Sequence, residues 1–162
     1  MEGIYVDGWT PLIVASFCGH LEVVKYLVEK VSANVETKDI CGTTPLIHAY
    51  DNSKIEVVKF LIEVGIANVE AKDYEKSTPL MDTSLEGNIN MVKYIVQNTN
   101  VDIEACDIEG NTPLIYAAMG KNVEVIKFLL EDGCADPEVL NNKGESFIDS
   151  LGGCQRRDAE KS

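Results

Sequence analysis

Thr10-Pro11-Leu12 recurs as Thr44-Pro45-Leu46, Thr78-Pro79-Leu80 and Thr112-Pro113-Leu114, each step 34 residues. A degenerate fifth copy, Ser146-Phe147-Ile148, follows at the same interval. A second landmark keeps step with the first: Val23-Val24-Lys25-Tyr26-Leu27, Val57-Val58-Lys59-Phe60-Leu61, Met91-Val92-Lys93-Tyr94-Ile95 and Val125-Ile126-Lys127-Phe128-Leu129. Residues 5–38 and 39–72 share 17 identities over 34 ungapped positions. Self-similarity at a fixed period of this length marks a stack of supersecondary units.

Within each unit the chemistry reads as two short helices and a turn. The Thr is an N-cap candidate, and the Pro occupies the first helical position, where its missing N–H costs nothing. Small residues follow at Ala15, Ala49 and Ala117, with Thr83 as the exception, so first helices can approach closely. The second helix starts near Leu21, Ile55, Ile89 and Val123, with its apolar residues along one helical face. Glu22–Lys25, Glu56–Lys59 and Glu124–Lys127 face away from that stripe and contribute about 0.2–0.5 kcal/mol each. Between units, Asp39-Ile40-Cys41-Gly42 and Asp107-Ile108-Glu109-Gly110 carry the Asp-first, Gly-last chemistry of a type I turn. Asp73-Tyr74-Glu75-Lys76 lacks the Gly, which predicts a strained backbone at Lys76 or a different turn. A lone helix pair cannot bury its apolar stripe, so the copies are expected to stack into an all-α solenoid.

These residues resemble the ankyrin repeat, with its Asp-x-x-Gly-x-Thr-Pro-Leu-His-x-Ala pattern and second helix. The resemblance spans residues 5–151. Tetratricopeptide repeats share the length, but their Trp/Leu-Gly/Tyr signature is absent. The units fall at 5–38, 39–72, 73–106 and 107–140, with a C-terminal cap at 141–151. Together they make one domain over 1–151, followed by a polar tail at 152–162. Three departures stand out. The extra residue beyond the family's usual length falls at Ser32, Ile66, Asn100 and Cys134. The motif His is replaced by Ile13, Ile47, Met81 and Ile115. The family's loop Asn is Glu36, Glu70, Glu104 and Glu138, which makes much of the acidity architectural. The first copy is apolar at Trp9, Ile13, Phe17 and Leu21, where a solenoid end calls for a polar face.

Composition narrows the function. Of 162 residues, 45% are apolar and 25% charged, and 27 acidic against 14 basic residues give a formal charge of −13. That balance argues against nucleic-acid and membrane-surface binding. Five cysteines, none in a C-x-x-C pair, cannot form a fully paired disulfide framework. A reducing, intracellular, cytoplasmic setting is the expectation. No phosphate loop, zinc motif, nucleophile elbow or calcium loop is present, so the chain is read as a non-enzyme without cofactor or metal. His20 reads as an inter-helix structural residue, and His48 as a half-exposed helix position. Cys18 and Cys41 read as semi-exposed thiols.

The resemblance further implies that a partner protein binds the concave side, formed by the turn tips and the outer edge of each first helix. Carried over copy by copy, this gives Val6, Asp7, Trp9, Phe17 and Cys18, then Ile40, Cys41, Thr43, Asp51 and Asn52. The third unit supplies Tyr74, Glu75, Ser77, Leu85 and Glu86, and the fourth Ile108, Glu109, Asn111 and Met119. Trp9, Phe17, Ile40, Tyr74, Leu85, Ile108 and Met119 form an apolar stripe flanked by Asp51, Glu75, Glu86 and Glu109. Apolar groups ringed by charge suit a partner with apolar anchors and basic flanks. Trp9, the sole Trp, is the leading anchor. Two alternatives stand beside this reading: a self-assembling structural unit, in which an otherwise monomeric chain dimerises through its N-terminal repeat, and a targeting fragment of a larger multidomain protein.

Overall fold

The computed structural model describes residues 7–152. Val6, Gly153, Cys154 and the rest of the polar tail lie outside the described residues. Among the described residues there are nine helices and no strand. They run in pairs: α1 (Pro11–Cys18) with α2 (Leu21–Glu29), α3 (Pro45–Asp51) with α4 (Ile55–Glu63), α5 (Pro79–Glu86) with α6 (Ile89–Asn98), and α7 (Pro113–Met119) with α8 (Val123–Glu131). α9 (Phe147–Gly152) closes the series. First helices stack on first helices, α1 on α3, α3 on α5, α5 on α7 and α7 on α9, with the second helices behind them.

The local signals act as their chemistry dictates. Thr10, Thr44 and Thr78 accept the N–H of Ile13, Ile47 and Met81 on their hydroxyls, while Thr112 caps α7 without a side-chain bond. Thr83, the oversized residue among the alanines, is fully buried and donates its hydroxyl proton to the Pro79 carbonyl at 2.8 Å, so it leaves no orphaned group. Leu12, Leu46, Leu80 and Leu114 meet Val24, Val58, Val92 and Ile126 in one continuous core. The apolar replacements Ile13, Ile47, Met81 and Ile115 are all buried. The Glu–Lys pairs close at 2.8 Å for Glu22–Lys25 and 3.1 Å for Glu56–Lys59, both on the surface.

The acidic loop residues do have an architectural role. Glu36 Oε1 accepts the backbone N–H of Asn68 at 2.8 Å, Glu70 that of Asp102 at 2.7 Å, and Glu104 that of Asp136 at 2.8 Å. Each glutamate thus ties its loop to the next, and each charge-assisted bond is stronger than a neutral one.

Three repeat positions hold non-glycine residues in left-handed backbone, one of them the site of Ser53 and Lys121 at φ +56° and +57°, where the matching Gly19 and Gly87 stand at +78° and +79°. Lys76 stands at φ +62°, where the matching Gly42 and Gly110 stand at +83° and +82°, so the turn type is kept and the side chain carries the strain. Ser32, Ile66 and Cys134, the extra residues, are also left-handed at φ +55°, +55° and +57°. In the third unit α6 instead runs on to Asn98, and Thr99, extended, donates its hydroxyl to the Ile95 carbonyl. Ile66 is the severe case, a β-branched residue in this region and 84% exposed. Ile66→Gly and Lys76→Gly are each expected to raise the unfolding free energy by about 0.5–1.5 kcal/mol, since a left-handed L-residue costs about 1–2 kcal/mol. Urea titration followed by circular dichroism checks this, and a loss of stability in both variants would contradict it.

Candidate protein-binding face

The turn tips form one row. In each, the first side chain folds back on the backbone: Asp39 Oδ1 accepts the N–H of Cys41 and Thr43, both at 2.9 Å. Asp73 does the same for Glu75 and Ser77, Asp107 for Glu109 and Asn111, and Asn141 for Lys143 and Glu145. Neighbouring tips are then tied by single backbone bonds. Ile40 N–H donates to the Asp7 carbonyl at 3.3 Å, Tyr74 to Cys41 at 3.3 Å, Ile108 to Glu75 at 3.1 Å and Asn142 to Glu109 at 2.8 Å. This ladder fixes Ile40, Tyr74 and Ile108 in register, with side chains 64%, 70% and 54% exposed. The Tyr74 ring lies over Gly42, where an added Cβ would stand 2.9 Å from the ring. Its aromatic face is therefore positioned by the preceding tip.

A second row comes from the ends of the first helices, where Phe17, Asp51, Leu85 and Met119 share one repeat position. Phe17, Leu85 and Met119 are exposed, and Asp51 is half-buried. Trp9 differs from the other tip residues. It is half-buried, its ring centroid 5.1 Å from Phe17 and 4.8 Å from His48. His48 is not half-exposed as the sequence suggested but buried, its Nε2 2.9 Å from Asp39 Oδ2. The bulk of Trp9 and Phe17 covers the imidazole, which one sequence position cannot reveal. Burial works to raise the Asp39 carboxyl, but the Thr43 N–H, His48 and Cys41 N–H bonds prevail and hold it below the usual carboxylate range. Asp107 is likewise held low against burial by Asn111, Tyr116 and the Glu109 N–H.

The third unit breaks this pattern. Where His48 and Tyr116 donate to the tip Asp nine residues upstream, the corresponding residue is Asp82. Carboxyl then faces carboxyl. Burial first, then Asp51, Asp73, Glu86 and Glu75, push Asp82 up to about 7. Burial, then Glu86 and Asp73, push Asp51 to about 7 as well, and its Oδ1 is buried without a hydrogen-bond partner. Burial also raises Glu86. Among the described residues, no ion pair reaches Asp51, Asp73, Asp82 or Glu86. Asp82 was absent from the candidates read off the sequence; the signal was its alignment with His48 and Tyr116.

The remaining candidates are spread around this centre. Glu75 and Glu86 are exposed beside it, whereas Glu109 is engaged by Lys143 at 2.9 Å. Thr43 and Asn111 spend their N–H groups on the tip turns, Ser77 is buried with its Oγ 3.3 Å from the Tyr116 hydroxyl, and Asn52 is half-buried at the end of α3. Cys18, Cys41, Cys106 and Cys134 are exposed free thiols. His20 precedes α2 and makes no side-chain cap bond. Among the described residues no three His, Cys, Asp or Glu side chains converge to hold a metal, and no helix is long and apolar enough to cross a membrane.

A family model described as ankyrin repeats matches in three overlapping copies, residues 2–73, 29–105 and 66–141. A comparison with curated proteins gives no match. Ankyrin repeats are in general protein–protein interaction modules and typically non-catalytic, and the matched copies run through every Thr-Pro-Leu motif of the stack. The chain belongs to the ankyrin-repeat family.

Proposed function

We propose that this protein is a non-catalytic module that captures a partner protein on the concave face of the stack. The observation that carries the reading is the row of Ile40, Tyr74 and Ile108. These are large apolar side chains held in register by tip-to-tip hydrogen bonds and left in solvent. Exposed apolar groups on a preorganised backbone lose little entropy on binding, which is how interface anchors gain affinity. Beside the row stand Asp51, Asp82 and Glu86, carboxyls raised by burial. A partner segment with apolar side chains spaced to meet the tips, and a Lys or Arg reaching the carboxyls, complements both features. The overall charge of −13 hastens the encounter with such a segment.

The test is affinity capture from lysate of the native cells, read by quantitative mass spectrometry. Wild type is compared with a variant in which Ile40, Tyr74 and Ile108 are all alanine. Trp9 stays intact, because its contacts with Phe17 and His48 make its removal a change in packing as well as in surface. Proteins captured by wild type and lost by the equally helical variant support the reading. Equal capture by both sinks it.

A further inference from the structure

Each turn tip is built from two chain arms. Within the tips, Asp39 N–H donates to the Thr43 carbonyl at 3.1 Å, Asp73 to Ser77 at 3.3 Å and Asp107 to Asn111 at 3.2 Å. Between the tips, Tyr74 N–H reaches the Cys41 carbonyl and Ile108 N–H the Glu75 carbonyl. Hydrogen bonds thus alternate within and between tips, and since hydrogen-bonded arms lie about 4.7–4.9 Å apart, the row advances about 9–10 Å per repeat. The first helices that follow the tips are stacked one on the next and set the same step, because packed helices stand about 8–10 Å apart. Ile40, Tyr74 and Ile108 are therefore three exposed apolar groups at that spacing. Every N–H from Asp39 to Thr43 is engaged by the tips themselves, so this tip offers a partner its side chains and no free row of backbone donors.

The spacing selects the partner's backbone. On an extended strand, side chains of one face recur every second residue, at about 6.7 Å, and miss the middle tip. On an α-helix seven residues advance about 10.5 Å. They also drift about 20° around the axis, so both errors accumulate over three tips. A polyproline II segment has three residues per turn and advances about 9.3 Å per turn, which returns every third side chain to one edge at the step of the row. We infer that the segment captured on this face is a proline-rich stretch in polyproline II conformation, with large apolar side chains at every third residue and an Arg or Lys next to the central one. The inference rests on the proposed binding face and adds to it the partner's conformation and spacing. With three residues per turn, the neighbours of the central anchor project to either side of the row. Beside the tip that carries Tyr74 lies Asp82, within electrostatic reach of Asp73, Glu75, Asp51 and Glu86. Among the described residues no ion pair reaches Asp51, Asp82 or Glu86, and a guanidinium or ammonium next to the central anchor supplies the cation they lack. A polyproline II segment is preformed, so it loses little entropy on docking.

Fluorescence anisotropy of labelled peptides titrated with the full chain tests this. The first probe is Leu-Pro-Pro-Leu-Arg-Pro-Leu, with a leucine at every third position. The second, Leu-Pro-Leu-Arg-Leu-Pro-Pro, has the same composition with the leucines at every second position. The third is a helical peptide with leucines seven residues apart and an arginine beside the central one. The first is expected to bind at least about tenfold more tightly than either of the others. Its affinity is expected to fall about tenfold with the Ile40, Tyr74 and Ile108 alanine variant, and to fall when its arginine is replaced by glutamate. A first peptide that binds no better than the second overturns the inference. So does a helical peptide that binds best and is lost with the alanine variant, in which case the binding face stands and the spacing fails. Equal binding of the first peptide to wild type and to the alanine variant overturns both the inference and the binding face.

Discussion

Tyr50→Ala is expected to lower the unfolding free energy by about 3–5 kcal/mol, while Tyr50→Phe leaves it unchanged or raises it by about 1 kcal/mol. Tyr50 is the largest side chain completely buried in the stack. The same repeat position holds Ser16 and Ser84 in the flanking units, small side chains that leave room for a ring between α1 and α5. Its hydroxyl, however, has no hydrogen-bond partner, and burial pushes its pKa above the ordinary value. Removing the ring opens a cavity at the junction of two repeat interfaces. Removing only the oxygen relieves a desolvated polar atom. Because repeat stability is roughly a sum of nearest-neighbour terms, a defect in the second unit uncouples the first from the rest. Urea denaturation by circular dichroism measures both variants. A Phe variant weakened by more than about 1 kcal/mol would show that the hydroxyl is satisfied in the folded protein.

The second large effect is a pH dependence opposite to that of ordinary acid denaturation. Asp51 and Asp82 titrate near 7 in the folded chain, against about 3.9 unfolded. Between those values the folded state binds more protons than the unfolded state, so stability falls as pH rises through the window. Asp39 and Asp107, held low, act the other way: their contribution is present above about pH 4 and disappears as pH falls through their folded pKa values. Stability is therefore expected to peak near pH 5 and to decline toward pH 8 by an amount on the order of 2 kcal/mol. Asp51→Asn with Asp82→Asn flattens that decline and raises stability at pH 8. Thermal unfolding at half-unit pH steps reads both effects, and an unchanged slope in the double variant would remove these residues as its source. Partner binding has the reverse sign. On the proposed reading, a partner's cationic side chain favours the ionised carboxyls, so affinity is expected to rise with pH through about 7.

Much of the architecture was legible because it rests on local chemistry repeated at a fixed step. Thr-Pro sets each first helix, the Val-Val-Lys-aromatic landmark sets each second, and the missing turn Gly located the strain at Lys76. The row of turn tips was legible for the same reason: Ile40, Tyr74 and Ile108 vary in side chain at a position whose backbone role is constant. What escaped the sequence depends on neighbours brought close by stacking. The burial of His48 needs Trp9 and Phe17 from the previous unit, and the role of Glu36 needs the N–H of Asn68 from the next. Asp82 was not among the candidates read from the sequence. It matters because it replaces a donor that the second and fourth units supply to Asp39 and Asp107, and its elevated pKa follows from that substitution.

Whether the row of turn tips is the binding face is tested most directly by comparing two exposed surfaces in one binding experiment. Once a partner is captured, its affinity is measured by titration calorimetry against wild type, against the Ile40, Tyr74 and Ile108 alanine variant, and against a control in which Val64 and Ile66, exposed residues that follow α4, are changed to Ser. The account predicts affinity at least about 100-fold weaker for the first variant, equivalent to about 2.7 kcal/mol, and unchanged affinity for the control. Unchanged affinity in the tip variant with a loss in the control would place the binding face elsewhere and contradict the account.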